Sequence, residues 1–430
     1  MSIGAVSLCS MIAFEAIGVA AGMPAVAAAL DGLSMYALAF AGTLAGSVVA
    51  MVWSGQDCDR NGPVRSMALG MLLFGTGLLL AGLADSMVVL IAGRVIQGFG
   101  VGALGVALYV ATARVLPHEF HPRLFALFST AWVIPAIVGP AISGWIVDHW
   151  GWRWLFLGIL ALLLPTAALI LPPIRGQREP DTAQPRSRHL LHWALLASIA
   201  SVALSVSGTA RSWMPIAVVV SLAGVILAAR RLLPVGTLHL VRGLPAIIAL
   251  RGINASAFFL SEAFVPLWLH EQRGWSITAA GMALTGGALF WSAGSHLQSR
   301  MVDDSTRQLW LQRGCFMLLL GIVACLATVV GFLPDWSLLI GWSLTGLGMG
   351  VSFPMLGVLT MKLSPREQQG TYSSALQLAN ALFTGATLAA GGLMFSLLQA
   401  EAPTQAYLCV YALATLLAAT SWMASSRTRP

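Results

Sequence analysis

Charge is scarce in this chain: Asp, Glu, Lys and Arg make up 9% of its 430 residues, against roughly a quarter in ordinary soluble domains. So few charges cannot cover a water-facing surface, and a soluble globular fold is excluded. Polar–apolar alternation over about ten residues is missing, which argues against a membrane β-barrel. The five cysteines (Cys9, Cys58, Cys315, Cys325, Cys409) form no C-x-x-C pair, so neither a disulfide framework nor a thiolate metal site is expected. The histidine pairs His118/His121 and His189/His192 fall in polar connections, where no metal site is expected, and nothing calls for a cofactor. No large loop gathers the His, Asp or Glu cluster a membrane enzyme would need. A ring of like charges or a filter sequence, which would mark a channel, is also missing.

What is abundant is apolar sequence, 58% of the chain. It falls in runs near 20 residues, which at about 1.5 Å per residue match a hydrocarbon layer roughly 30 Å thick. Backbone groups in that layer must bond internally, so an all-α membrane protein is expected. The runs predict fourteen spans, at 5–28, 36–53, 66–84, 86–112, 124–147, 153–172, 190–209, 213–229, 245–269, 276–297, 309–331, 336–360, 373–398 and 404–424. The net charge of +7 encodes topology rather than a nucleic-acid partner. With the amino terminus inside, about seventeen Lys and Arg residues lie in cytoplasmic loops and tail, and three (Arg153, Arg211, Arg273) lie outside. That asymmetry follows the positive-inside rule. The first segment has no basic leader and is interrupted by Glu15, so it reads as an uncleaved helix rather than a signal peptide. Its amino tail is only four residues, from which a few missing native residues are expected.

Polar composition divides the chain. Residues 1–173 form a first bundle of six spans, and 174–189 a charged, proline-containing cytoplasmic linker. Two plain apolar spans occupy 190–230, where they are expected to face lipid and pack beside the rest. A basic loop covers 231–244, and a second bundle of six with a short tail covers 245–430. The two bundles repeat each other. Gly98-Phe99-Gly100-Val101-Gly102, followed nineteen residues after Gly98 by Pro117-His118-Glu119, recurs 248 residues later as Gly346-Leu347-Gly348-Met349-Gly350 and Pro365-Arg366-Glu367. Where the first copy carries Arg94 the second carries Trp342. A duplicated membrane protein with a charge buried in one half only is suited to moving something across a bilayer.

Charges inside the spans are Glu15, Arg94, Arg251 and Glu262. Each costs about 2.5–3.5 kcal/mol at a helix centre on insertion scales, so each needs a partner, a wet cavity or a task. Rise per residue puts Glu15 about 15 Å from the inner edge and Arg94 about 12 Å from the outer edge, so the two can meet near the midplane. Glu15, Gly18 and Gly22 share one helix stripe, and Arg94, Gly98, Gly102 and Gly105 another, which suits a packed interior. Two readings stand for the pair: a salt bridge that only locks two helices, or a carboxyl that gains and loses a proton as access alternates. Glu262 is a second candidate for a proton or a substrate charge. Arg251, about 9 Å from the inner edge, is expected to snorkel or pair locally. In the loop expected between spans 2 and 3, Asp59 and Arg60 lie between Gly55 and Gly62. Pro140, between Gly139 and Ser143-Gly144, is expected to kink span 5 against glycine-rich span 10. Phe14, Phe40, Trp132, Trp291 and Phe383 are candidate cavity aromatics.

These residues carry a family resemblance over nearly the whole chain. Leu90-x-x-x-Arg94-x-x-Gln97-Gly98-x-Gly100 resembles the helix 4 motif of major facilitator superfamily transporters, and Gly55-x-x-x-Asp59-Arg60-x-Gly62 resembles their motif between helices 2 and 3. Gly139-Pro140-x-x-Ser143-Gly144 is similar to the helix 5 antiporter motif, and Glu15, nine residues before Pro24, falls where fourteen-helix drug:proton antiporters place a helix 1 acid. The resemblance implies a major facilitator fold of two six-helix bundles plus two extra central helices. It implies a proton-coupled multidrug exporter working by alternating access, with a facilitator for a defined metabolite, sugar or siderophore as the alternative. Glu15 and Arg94 would then couple protons, Gly55, Asp59, Arg60 and Gly62 form a cytoplasmic gate, and Gly139, Pro140 and Gly144 the hinge or seal between the halves. The partners implied are a small-molecule substrate, protons and lipid, with a functional monomer in a bacterial inner membrane and both termini cytoplasmic. The chain departs from the pattern at Asp57, at Pro63 and Val64, and at Ser143, and span 13 has no carboxylate for a dicationic drug.

Overall fold

A backbone crossing hydrocarbon satisfies its own hydrogen bonds, and every long element of the computed structural model is helical. The model describes residues 2–32, 35–174, 188–207, 214–275, 277–301, 304–399 and 401–428, and among them no strand occurs. The helices are α1 (Ser2–Ala29), α2 (Tyr36–Asn61), α3 (Pro63–Gly82), α4 (Met87–Val115), α5 (His121–Trp150), α6 (Trp154–Ile174), α7 (Arg188–Ser207) and α8 (Met214–Leu232). They continue as α9 (Leu244–Arg273), α10 (Ile277–Ser299), α11 (Asp304–Val330), α12 (Ser337–Leu363), α13 (Gln369–Leu398) and α14 (Pro403–Ala424). Among the described residues, twelve are long and apolar enough to cross a membrane. α7 contributes only a shorter apolar stretch, His189–Leu204, and α10 is not among the twelve, so the count shown is twelve against an expectation of fourteen.

One boundary differs instructively. α2 continues through Asn61, past the expected end at 53, and the expected loop shrinks to the single residue Gly62. Gly62 takes φ +75°, a left-handed conformation that suits glycine, and Pro63 opens α3 at the position where a missing N–H costs nothing. Hydropathy falls where a helix leaves the lipid, but its hydrogen bonding carries on.

The same helix pairings occur in both repeats. α4 packs on α2 and α3, and α1 on α5 and α6; likewise α12 packs on α10 and α11, and α9 on α13 and α14. The duplicated glycines explain the closeness. A methyl group on Gly98 or Gly102 would strike the backbone of Thr43 or Ser47 on α2, and one on Gly100 would strike Phe74 on α3. Their mates do the same: Gly346 and Gly350 against Gly287 and Trp291 on α10, and Gly348 against Leu318 on α11. Small residues replace the hydrophobic driving force that is weak between helices in lipid.

The halves meet where α2 packs on α13 and α5 on α10, one contact being the repeat-related counterpart of the other. α7 and α8 lie beside the first seam, where Ala194, Ala197 and Ala228 share an apolar cluster with Val48, Leu376 and Ala379. Ser198 Oγ donates to Ala45 O at 2.9 Å, fixing α7 on α2. The glycine contacts yield a prediction. Gly350→Ala is expected to lower the unfolding temperature of the purified protein by several degrees, since overpacking costs about 1–3 kcal/mol. Gly158→Ala, whose added methyl meets nothing within 4 Å, is expected to leave it unchanged or raise it.

Candidate functional site

Glu15 and Arg94 come together. Glu15 sits at the middle of α1 with 2% of its surface exposed, and Arg94, in the second turn of α4, is 4% exposed. Arg94 Nη1 forms an ion pair with Glu15 Oε1. The same nitrogen donates to Gln97 Oε1 at 2.9 Å, and Arg94 Nε donates to Ala39 O on α2 at 3.3 Å. The guanidinium therefore has two acceptors besides the carboxylate. Gln97 Nε2 and the nearby Thr43 Oγ1 are buried without a partner among the described residues, polar groups of the kind that hold water inside proteins. The glycine stripes serve other neighbours than expected. Gly18 and Gly22 face α5 and α6, Gly98 and Gly102 face α2, and Gly105 faces Gln377. α1 and α4 scarcely touch, and the two long side chains bridge them.

In the second half the corresponding position is apolar. Trp342 stacks on Phe258 with ring centroids 4.8 Å apart, and Trp291 meets Phe258 edge-on at 4.9 Å. Glu262 is half-buried on α9, with the exposed Ala263 next to it in the chain and the exposed His270 about two turns further on, and no ion pair joins it to Glu15 or Arg94.

A second site closes the seam at the face that carries the chain ends. Asp59, in the last turn of α2, accepts hydrogen bonds from Gly370 N (2.5 Å), Thr371 N (2.7 Å) and Thr371 Oγ1 (2.5 Å) at the start of α13. An aspartate is disfavoured at the carboxyl end of its own helix and favoured at the amino end of another. Asp59 thus caps a helix of the other half. Gly55 fits the same contact, because a methyl there would press on Gly370 O and Ser374. Arg60 is exposed and forms no ion pair among the described residues. The cation at this seam is Arg114, from the end of α4, which donates to Cys58 O at 3.2 Å and Arg366 O at 3.5 Å. Asp57 holds the α2–α3 corner, accepting from Asn61 (2.7 Å) and Ser66 (2.8 Å) with Arg65 at 3.5 Å. Across the other seam, Thr130 on α5 meets Ser292 and His296 on α10 at 3.2 Å each, and Gln298 donates to Pro122 O at 3.3 Å.

The α5 motif is placed differently from expectation. α5 is continuous from His121 to Trp150 through Pro140, whose side chain lies outside the described ones. Gly139 lies against Ile17 of α1 and Gly144 meets nothing, while Gly286, Gly287 and Gly294 of α10 face α12. α5 and α10 meet nearer the chain-end face instead, through side chains able to hydrogen-bond. The candidate aromatics form no single pocket. Phe14 lines a crevice of about 420 Å³ between α1, α5 and α6. Trp132 is exposed, Phe40 is half-buried on α2, Trp291 belongs to the second-half cluster, and Phe383 lies against Gly252 of α9.

The model of the Major Facilitator Superfamily matches residues 3–386, and again 247–430. The chain belongs to the Major Facilitator Superfamily. Its members are membrane transporters, not enzymes, and this is a multi-pass membrane transporter. The chain is 26% identical over 362 residues to a probable multidrug-efflux transporter of Mycobacterium tuberculosis, covering 79% of this chain and 75% of that one. It is 27% identical over 399 residues to a probable actinorhodin transporter of Streptomyces coelicolor, covering 85% and 66%. Among solved structures, a bacterial homologue of the iron transporter ferroportin in its outward-facing state matches with a TM-score of 0.74 at 13% identity, covering 99% of this chain and 98% of that one. The proton:xylose symporter XylE matches at 0.70 and 14%, covering 98% and 94%. At these identities the structures attest the fold alone.

Within this major facilitator fold the pair itself is testable by stability. Arg94→Ala leaves Glu15 buried without its partner, a change expected to cost about 3–5 kcal/mol. The double substitution Glu15→Gln with Arg94→Gln keeps the shapes and is expected to cost clearly less. Unfolding temperatures of the purified variants check the order.

Proposed function

We propose that the protein is a proton-coupled exporter of amphipathic or lipophilic compounds, working by alternating access between bundles 1–173 and 245–430. α7 and α10 complete fourteen membrane-spanning helices, and the α7–α8 pair rides beside the α2–α13 seam. The excess of arginine at the chain-end face supports a cytoplasmic location for both termini in a bacterial inner membrane. With that orientation the described contacts close the cytoplasmic side, and the conformation is outward-facing. The likeness to a probable multidrug-efflux transporter of Mycobacterium tuberculosis supports export, and the cycle is written for a monomer.

The observation that carries the reading is the ligation of Arg94. When Glu15 takes a proton from outside, the ion pair dissolves, yet the guanidinium keeps Gln97 and Ala39 as acceptors. The acid is thereby released without stranding the cation. α1 is then free to move relative to α4, the seam at Asp59 parts, and Glu15 returns its proton to the cytoplasm as substrate loads. Each inward proton supplies about 2.3 kcal/mol per 100 mV and about 1.4 kcal/mol per pH unit. Together these sustain a gradient of a neutral compound of roughly several hundredfold.

In proteoliposomes, Glu15→Gln is expected to abolish pH-driven accumulation while substrate counterflow persists. Full pH-driven transport by this variant would contradict the assignment. Asp59→Asn removes one acceptor and the charge at the α13 cap. It is expected to raise labelling of Cys58, which is buried under Gly370, by a cytoplasmic-side maleimide in a chain lacking the other four cysteines. Unchanged labelling would show that Asp59 does not hold the seam.

A further inference from the structure

Arg251 is a cation without a counter-charge among the described residues. It lies on α9 with 4% of its surface exposed. Among the described residues the ion pairs are Arg65–Asp57, Arg94–Glu15 and Arg273–Asp335, and Arg251 takes part in none. It does not snorkel to the membrane edge. Nη1 donates to Phe353 O at 2.7 Å, Nη2 donates to Tyr109 Oη at 3.0 Å, and Nε is buried with no partner among the described residues. The guanidinium carbon lies 3.2 Å from the centre of the Phe353 ring, a cation–π contact. A carbonyl, a phenol and a ring face cover the charge but do not neutralise it.

One of those three groups belongs to the other half. Tyr109 projects from α4, and a methyl group on Gly357 of α12 would come within 3.3 Å of its ring and that of Phe125, on the side of the molecule where the halves are joined. When the halves part there, Tyr109 leaves with α4, whereas Phe353 stays with α9. The opening that admits substrate from the cytoplasm therefore also uncovers the guanidinium.

We propose that Arg251, with the ring faces beside it, binds the anionic end of aromatic amphiphiles such as aryl carboxylates. This rests on the exporter reading and names its substrate class. The aromatic body has a surface to lie on: Phe353 meets Trp291 at 5.4 Å, and Phe125 meets Phe128 at 5.7 Å on the facing half. A cation finds less here. Glu15 is matched by Arg94, and Glu262 stands eleven residues further along α9, about 16 Å toward the opposite face. Tyr109 acts as a stand-in for the ligand, occupying the guanidinium while the site is closed.

Equilibrium dialysis of the purified full-length protein against 2-naphthoate, 2-naphthamide and 2-naphthylmethylammonium tests this without any gradient. Naphthoate is expected to bind at least about tenfold more tightly than the amide, the scale of one charge-assisted hydrogen bond. Arg251→Gln is expected to erase that preference, and Tyr109→Phe, which keeps the ring and its packing, to strengthen naphthoate binding several-fold. Equal affinity for naphthoate and naphthamide would overturn the proposal, whether water alone takes the place of Tyr109 or ligands bind without regard to charge. Preference for the ammonium compound, which would point to Glu262, or a preference for naphthoate that survives Arg251→Gln, would overturn it equally. Anion binding without proton-driven transport would refute the exporter reading and leave this site standing.

Discussion

A carboxylate and a guanidinium buried together near the middle of a transmembrane bundle constrain everything around them. Neither tolerates isolation in a low-dielectric interior, so the pair of Glu15 and Arg94 fixes how α1 sits against α4 although the two helices scarcely pack. The remaining acceptors, Gln97 on α4 and the backbone of Ala39 on α2, tie the guanidinium to the frame rather than to α1. α1 packs on α5 and α6 but is tied to α4 by an ion pair that a proton can cancel, while α2, α3 and α4 are locked by glycine-to-backbone contacts that no proton touches. Rigid frame and releasable element are built side by side.

The repeat sharpens the contrast. Both halves use the same glycine triplet to bring three helices into backbone contact, and both contribute one helix to each seam. Only the buried electrostatics differ. Where the first half has an ion pair, the second has Trp342 stacked on Phe258, with nothing to titrate. The second half instead holds Arg251, whose covering reaches across the seam to Tyr109. The seam at the chain-end face is thus joined by polar bonds of modest individual strength, Asp59 to the α13 amides foremost, which suits an interface that opens and recloses.

Much of this was legible in the residues. Length and hydropathy of the runs located the helices, and the repeat of Gly98-x-Gly100-x-Gly102 at 346–350 exposed the duplication. Depth along the helices brought Glu15 and Arg94 to one level. Other features carried no such mark. The partner of Asp59 is a pair of backbone amides, which have no residue type to search for. Arg60 and Arg114 look alike in sequence, and only the fold shows that Arg114 turns into the seam while Arg60 faces away. Arg114 did leave one trace: its counterpart 248 residues on is Lys362, also basic and also in a last helical turn. Polarity marks where α2 leaves the lipid and not where its hydrogen bonding ends, and a glycine-rich face does not say which neighbour it meets: those of α10 contact α12 rather than α5.

The central claim is that Glu15 carries the exchanged proton, and substrate-induced proton release tests it most directly. Purified protein in weakly buffered detergent solution, with a pH-indicating dye, receives a transported compound identified by efflux screening. The wild type is expected to release protons on binding, and Glu15→Gln is expected to bind the compound while releasing none. Equal proton release from both proteins would contradict the account.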